Sequence, residues 1–271
     1  MNRLLRDALD LLYPPGLCCG LCGVELDRDQ EMAKHGKDAR HCVATGNALI
    51  AAEPLSRIPC GGLCPRCLPE LPAVEDPCPG CGCGTLGGTL CRSCTRWGAL
   101  GDGACVAFDY DGLGRQLLLS FKFRDNTGHT ELIAWAMLRA LRRAGFDALA
   151  DCVVPVPMHW RRRLQRGYNQ TELLARELGR HMGKPLVRGV LSRPAYTRPL
   201  AATSADANRR AENARRSFGP GQGDLSGQTA LLVDDIVTTG STVRACVDIL
   251  RGMGASRVLV VAAAAVPQRI P

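Results

Sequence analysis

A chain of 271 residues with 15 cysteines and a formal charge of +8 can bury one sizeable core and a smaller unit, and its cation excess suits phosphate-bearing partners. No stretch reaches the roughly 18 consecutive apolar residues of a spanning helix, and Val258 to Val266 is far too short. Nothing resembling a signal peptide precedes the cysteines, so reduced thiols and a cytoplasmic location are expected rather than disulfides.

Residues 1–15 read as an amphipathic helix. Leucines at 4, 5, 9 and 12 share one face over Met1 to Tyr13, and Pro14-Pro15 ends it. Asp7 and Asp10 beside only two arginines make it a poor membrane anchor. Residues 16–100 are cysteine-rich, with an insertion over 23–59. Four Cys-x-x-Cys elements occur, Cys19/Cys22, Cys64/Cys67, Cys78/Cys81 and Cys91/Cys94. This is the spacing of zinc knuckles, whose turns aim backbone N–H groups at the thiolates and whose Zn–S bonds fold segments poor in apolar residues. Eight thiolates fill two tetrahedral sites. Sequential pairing, first pair with second and third with fourth, keeps each ribbon local. Cys18 and Cys83 adjoin these pairs as substitute ligands, and Cys42, Cys60, His35 and His41 lie in or beside the insertion. Spacing does not choose among them. Cys105, Cys152 and Cys246 fall in apolar patterns and read as core packing.

From residue 104 to 271 the patterning alternates between strand and helix. Ala104 to Tyr110 reads as extended, Leu113 to Phe123 and Thr130 to Ala144 as helical, and Asp151 to Pro157 as extended. Asn169 to Met182 is helical and Leu186 to Leu191 extended. A polar stretch over Ser192 to Gly227 follows, then a strand Thr229 to Asp234, a helix Thr242 to Met253 and a strand Arg257 to Ala264. This predicts an α/β fold, a parallel sheet with helices on both faces. Ligands of such sheets bind beyond the carboxyl ends of the strands.

Two segments carry chemistry at such ends. In ALLVDDIVTTGST, Ala230 to Thr242, an apolar strand delivers Asp234 and Asp235 to its tip, where ionised carboxylates accept hydrogen bonds from vicinal hydroxyls, directly or through a divalent cation. Thr238, Thr239, Gly240, Ser241 and Thr242 then place hydroxyls and backbone N–H groups at a helix start, which favours an anion such as a 5′-phosphate. Response-regulator receivers and ATPases also carry acid pairs after a strand, but no Gly-x-x-x-x-Gly-Lys-Ser/Thr loop exists here. After Asp151 to Pro157 comes a basic run with Arg161, Arg162, Arg163 and Arg166. Planar guanidinium forks suit pyrophosphate; a solvated basic surface or a nucleic-acid patch is the plainer reading.

The thirteen residues from Ala230 resemble the phosphoribosyl-pyrophosphate (PRPP) motif of type I phosphoribosyltransferases. Taken with PVP, RRR, RGYNQ, Arg210-Ala211-Glu212-Asn213 and Phe218, the chain from roughly Leu12 to Val266 resembles the ComF family, also called ComFC or GntX-like proteins. The long insertion, and Pro199-Leu200-Ala201-Ala202-Thr203 in place of a glutamine-containing segment, depart from its usual pattern. The resemblance implies a type I phosphoribosyltransferase fold behind a double zinc ribbon, and a Mg-dependent PRPP site. In that site Asp234 and Asp235 hold the ribose, residues 238–242 the 5′-phosphate and the four arginines the pyrophosphate. It also implies a lid, here Ser192 to Gly223, with Arg210 and Asn213 as contributors. With few large apolar groups this segment is expected to be mobile when empty.

The resemblance further implies a link to DNA uptake and natural transformation, and so to single-stranded DNA. Between Gly112 and Phe218 there are 20 Lys plus Arg against 8 Asp plus Glu, an excess of 12, which suits a polyanion. Aromatic stacking platforms are scarce, at 4% of residues. An active transferase, a DNA-binding competence factor or nucleotide sensor, and a zinc-stabilised scaffold remain open from the sequence.

Overall fold

The computed structural model describes residues 19, 21–22, 24, 63–64, 66–123, 129–161, 164, 167–194 and 207–268, and for 123 and 207–211 the backbone alone. The elements in chain order are α1 (Arg92–Trp97), β1 (Gly103–Asp109), α2 (Gly112–Phe123), α3 (Thr130–Ala144), β2 (Cys152–Pro155) and α4 (Gln170–Met182). They continue with β3 (Leu191–Ser192), α5 (Ala207–Ser217), β4 (Gly219–Pro220), β5 (Thr229–Val237), α6 (Ser241–Gly252) and β6 (Arg257–Ala265). The expected helix over 1–15, the insertion 23–59, and Cys18, Cys42, Cys60, His35 and His41 lie outside the described residues.

Four strands form a parallel sheet in the order β1-β6-β5-β2. β5 and β6 are apolar almost without interruption because both their faces are covered. Alternate residues serve opposite cores. Val153, Leu231, Val233, Leu259 and Val261 pack with α2, α3 and α4, while Val154, Leu232, Val258, Val260 and Ala262 pack with α6. The amphipathic α3 stops where Gly145 takes a left-handed φ of 70° and its N–H returns to the carbonyls of Arg142 and Leu141. Cys105, Cys152 and Cys246 are buried in these cores as expected; burial pushes the Cys105 thiol up to about 12 and raises the other two.

Both outer strands are covered. On β1, Ala73 bridges to Phe108 and the Asp109 N–H donates to the Pro72 carbonyl at 2.9 Å. On β2, the Val153 N–H donates to Pro185 and its carbonyl accepts from Val187. Leaving no long bare edge protects the sheet from pairing with other chains. The cysteine-rich segment crosses the β1 edge, so Cys19, Cys64 and Cys67 pack into the core on the α2–α4 face and Cys78, Cys81, Cys91 and Cys94 into the α6 face.

Three expectations are corrected. The strand predicted over Leu186 to Leu191 is a single bridge from Leu186 to Val153 plus a short β3, which pairs with β4 in its own antiparallel ribbon. The Thr229 strand runs past Asp234 to Val237, because Ala262 to Ala265 of β6 continue to offer backbone partners. Part of the expected mobile stretch is α5, anchored by buried Ala214 and Phe218 against α6. Among the described residues no helix is long and apolar enough to cross a membrane.

Candidate functional site

Because β2 and β5 are adjacent and parallel, their carboxyl ends lie side by side. Their register stops at Pro155↔Val233, and the Val156 N–H donates to the Val233 carbonyl at 2.9 Å. β5 therefore outruns β2, and Asp234 and Asp235 come immediately beyond the last β2 pair, still held by β6 through Asp234↔Ala262. The segment leaving β2 toward Arg161 and the segment running from Asp234 to Thr242 share this end of the sheet.

The two carboxylates sit in different surroundings. Asp234 is 6% exposed. Burial first, and then the charge of Asp235, raise its carboxyl from 3.8 to about 7, against a backbone hydrogen bond from the Asp235 N–H and nearby Lys122 and Arg193. Asp235 is half-buried. Its Oδ1 accepts the Ile236 N–H at 2.7 Å, and its Oδ2 takes the Lys122 Nζ at 2.7 Å. Lys122 lies in the last turn of α2, 113 positions away in sequence. The last carbonyls of that helix are themselves held: the Tyr168 hydroxyl donates to Phe121 and the Gln170 amide to Lys122. Tyr168, just before α4, and Gln170, its first residue, thus fix the end of α2 and carry Lys122 to the acid pair.

The hydroxyl turn is held from the cysteine-rich side. Gly240 takes a left-handed φ of 74° at the start of α6, and the Thr239 and Ser241 hydroxyls are 2.9 Å apart. Arg244, one turn into α6, donates to the Thr239 carbonyl and to the Gly98 carbonyl, each at 2.8 Å. A Cβ on Gly240 would meet Leu100 at 2.8 Å. Gly98 and Leu100 follow α1, whose first residue is preceded by Cys91.

The expected arginine cluster is only partly visible. Arg161 is exposed, with its guanidinium 5.2 Å over the Trp160 ring and its N–H donating to the buried His159. Arg162, Arg163 and Arg166 lie outside the described residues, as does the side chain of Arg210. Asn213 sits on the packed helix α5 rather than on a free loop; its carbonyl accepts the Ser217 hydroxyl. Lys122, Arg193 and Arg244 were not legible as site residues. Arg193 follows β3, lies 4.8 Å over the Phe218 ring and favours the charged form of Asp234.

The cysteines gather as sequential pairing predicts, Cys19, Cys22, Cys64 and Cys67 in one tetrad and Cys78, Cys81, Cys91 and Cys94 in the other, with sulfurs in each within 4.8 Å of one another. Zn–S bonds of ~2.3 Å place tetrahedral sulfurs about 3.8 Å apart; the Cys22–Cys64 and Cys81–Cys91 sulfurs are 3.7 and 3.6 Å apart. The Gly80 and Cys91 N–H groups donate to the Cys78 sulfur and the Cys94 N–H to the Cys91 sulfur, which favours thiolates. This donor set fits zinc, and both tetrads could hold it. Cys83 stands outside the second tetrad but against it, and its thiol is the leading cause holding Cys81 down to about 2.

Residues 167–271 match the phosphoribosyl transferase domain. Competence protein F of Haemophilus influenzae is 27% identical over 208 residues, 73% of this chain and 88% of that protein. Competence protein ComFC of Bacillus subtilis is 25% identical over 238 residues, 83% of this chain and 85% of the other. DNA utilization protein YhgH of Escherichia coli K12 is 31% identical over 205 residues, 73% of this chain and 88% of YhgH. With this similarity added to two cysteine tetrads and an acid pair at the tip of a parallel sheet, the chain belongs to the ComF family, a cysteine-rich zinc ribbon region joined to a phosphoribosyltransferase domain.

Proposed function

We propose that this protein binds PRPP with magnesium at the shared carboxyl end of β2 and β5 and transfers its phosphoribosyl group to a nucleophilic acceptor. The observation that carries the reading is the direct passage from buried Asp234 and half-buried Asp235 into the Gly240 turn at the start of α6. The acid pair takes the ribose 2′ and 3′ hydroxyls, and residues 238–242 take the 5′-phosphate with hydroxyls and helix N–H groups. Arg161, with Arg162, Arg163 and Arg166, takes the pyrophosphate. As pyrophosphate leaves C1, the carboxylates favour the positive charge growing on the ribose ring and the arginines favour the departing anion; magnesium bound with PRPP would supply further charge neutralisation there. Ligand hydroxyls have to share or displace the Lys122 ammonium now on Asp235. Zinc fills both tetrads, and Arg210 and Asn213 approach the ligand from α5.

Relatives named for competence and DNA utilization support a role in the use of incoming DNA. The excess of 12 cations between Gly112 and Phe218 supports a second reading, single-stranded DNA binding on the same domain. Calorimetry with PRPP and magnesium tests the first. Wild type is expected to bind, and Asp234→Asn/Asp235→Asn to show no measurable heat; unchanged affinity in the double variant refutes the assignment. Affinity for an oligonucleotide that falls steeply with salt while PRPP is ignored favours the second.

A further inference from the structure

One cavity among the described residues lies away from Asp234. It has a volume of about 710 Å³ and runs along the outer face of α6, touching the hydroxyl turn only at Ser241. Its α6 wall is Ser241, Arg244, Asp248 and Arg251, positions three or four apart that share one helix face over about 15 Å. The other walls include Trp97, at the end of α1, and on α5 both Arg215 and Glu212, the latter paired with Arg216 at 2.6 Å. The volume is that of a small-molecule site.

The groups around this cleft are not equally committed. Arg244 is taken by the Thr239 and Gly98 carbonyls, and Arg251 by Asp102 at 2.7 Å. The side chains of Arg215 and Asp248 have no hydrogen bond or ion pair among the described residues, and both residues are exposed. Trp97 is 39% exposed although large aromatic groups are scarce in this chain. Arg96 lies 5.0 Å over its ring, and the ring lines the cleft.

We propose that this cleft binds a nucleoside monophosphate, its base stacked on Trp97, its phosphate on Arg215 and its ribose hydroxyls or exocyclic amine on Asp248. One ring and one uncommitted guanidinium match one base and one phosphate, whereas a polynucleotide track needs a succession of stacking platforms. The site stands apart from the PRPP assignment, since of the acid pair and the hydroxyl turn it shares only Ser241.

The test is calorimetry of AMP, GMP, CMP and UMP against the zinc-loaded full chain, with ribose 5-phosphate and inorganic phosphate alongside. At least one nucleotide is expected to bind with a Kd below about 1 mM, more tightly than either sugar phosphate or phosphate. Trp97→Leu and Arg215→Gln are each expected to weaken it about tenfold, the scale of one lost stacking or charged contact. Both side chains are exposed, so the variants keep the fold, checked by two zinc ions per chain. Asp234→Asn/Asp235→Asn is expected to keep nucleotide affinity within about twofold, which separates failure here from failure of the PRPP reading. The proposal is overturned if no nucleotide binds, if binding survives both cleft substitutions, or if it disappears only in the aspartate variant. Binding of an oligonucleotide but of no mononucleotide overturns it as well.

Discussion

Asp234→Asn is expected to stabilise the protein in alkaline solution while removing its ligand site. The Asp234 carboxyl ionises at about 7 in the folded protein, chiefly because it is buried, against an ordinary value of 3.8. Between those values the folded chain holds a proton that the unfolded chain has released. Stability is therefore full below the unfolded value and declines as pH rises, until it levels off above the folded value. About three pH units at ~1.4 kcal/mol each give on the order of 4 kcal/mol of destabilisation in the fully ionised state. Of this, about 2–3 kcal/mol accrues between pH 5 and 8. Asparagine keeps the shape and the Oδ1 that accepts the Asp235 N–H at 2.9 Å, yet never ionises. Urea unfolding of both zinc-loaded proteins at half-unit steps from pH 5 to 8 is the assay, and the difference between the two curves cancels every other titration they share. The variant's advantage in unfolding free energy should grow by about 2–3 kcal/mol from pH 5 to pH 8. Parallel curves would refute the reasoning, because they would mean that Asp234 reaches enough water to ionise normally.

Cys94→Ser should leave one zinc per chain by metal analysis and weaken PRPP binding several-fold, because Gly98 and Leu100 connect the second tetrad to the hydroxyl turn. Cys64→Ser, on the opposite face of the sheet, should also lose one zinc but leave PRPP affinity within about twofold; equal losses in calorimetry would show that the connection transmits nothing. Gly240→Ala should cost about 1–3 kcal/mol in urea unfolding, since a left-handed φ is combined with a Cβ 2.8 Å from Leu100 and 2.7 Å from the Arg244 guanidinium.

What the sequence disclosed followed from local chemistry. α3 was readable at both ends because its apolar period and the terminating Gly145 are both local features. Both tetrads were readable because each Cys-x-x-Cys turn brings its own two sulfurs together. The length of β5 was not, because Ile236 and Val237 are strand only by virtue of Ala264 and Ala265 on β6, and register is a property of two segments. Lys122 is beyond any local rule, since its partner lies 113 positions away. Helix α5 did leave a signal: Ala207, Ala211, Ala214 and Phe218 recur at spacings of four, three and four, and Glu212 is set four before Arg216. Small alanines amid arginines made a packed helix resemble a polar loop.

The placement of the cysteine region explains why so small a sheet can present a defined turn. Four strands leave β1 at an edge, and the segment Leu71 to Val74 covers that edge and sends one tetrad to each face. Metal coordination can hold such a segment where its few apolar side chains cannot. Arg244 then joins a carbonyl just past α1 to a carbonyl of the hydroxyl turn with one guanidinium, and its planar fork fixes both directions at once. The turn at the start of α6 is consequently shaped as much by the zinc ribbon as by its own sheet. A chain whose ribbon is stripped of metal should keep its parallel sheet and lose the shape of that turn first.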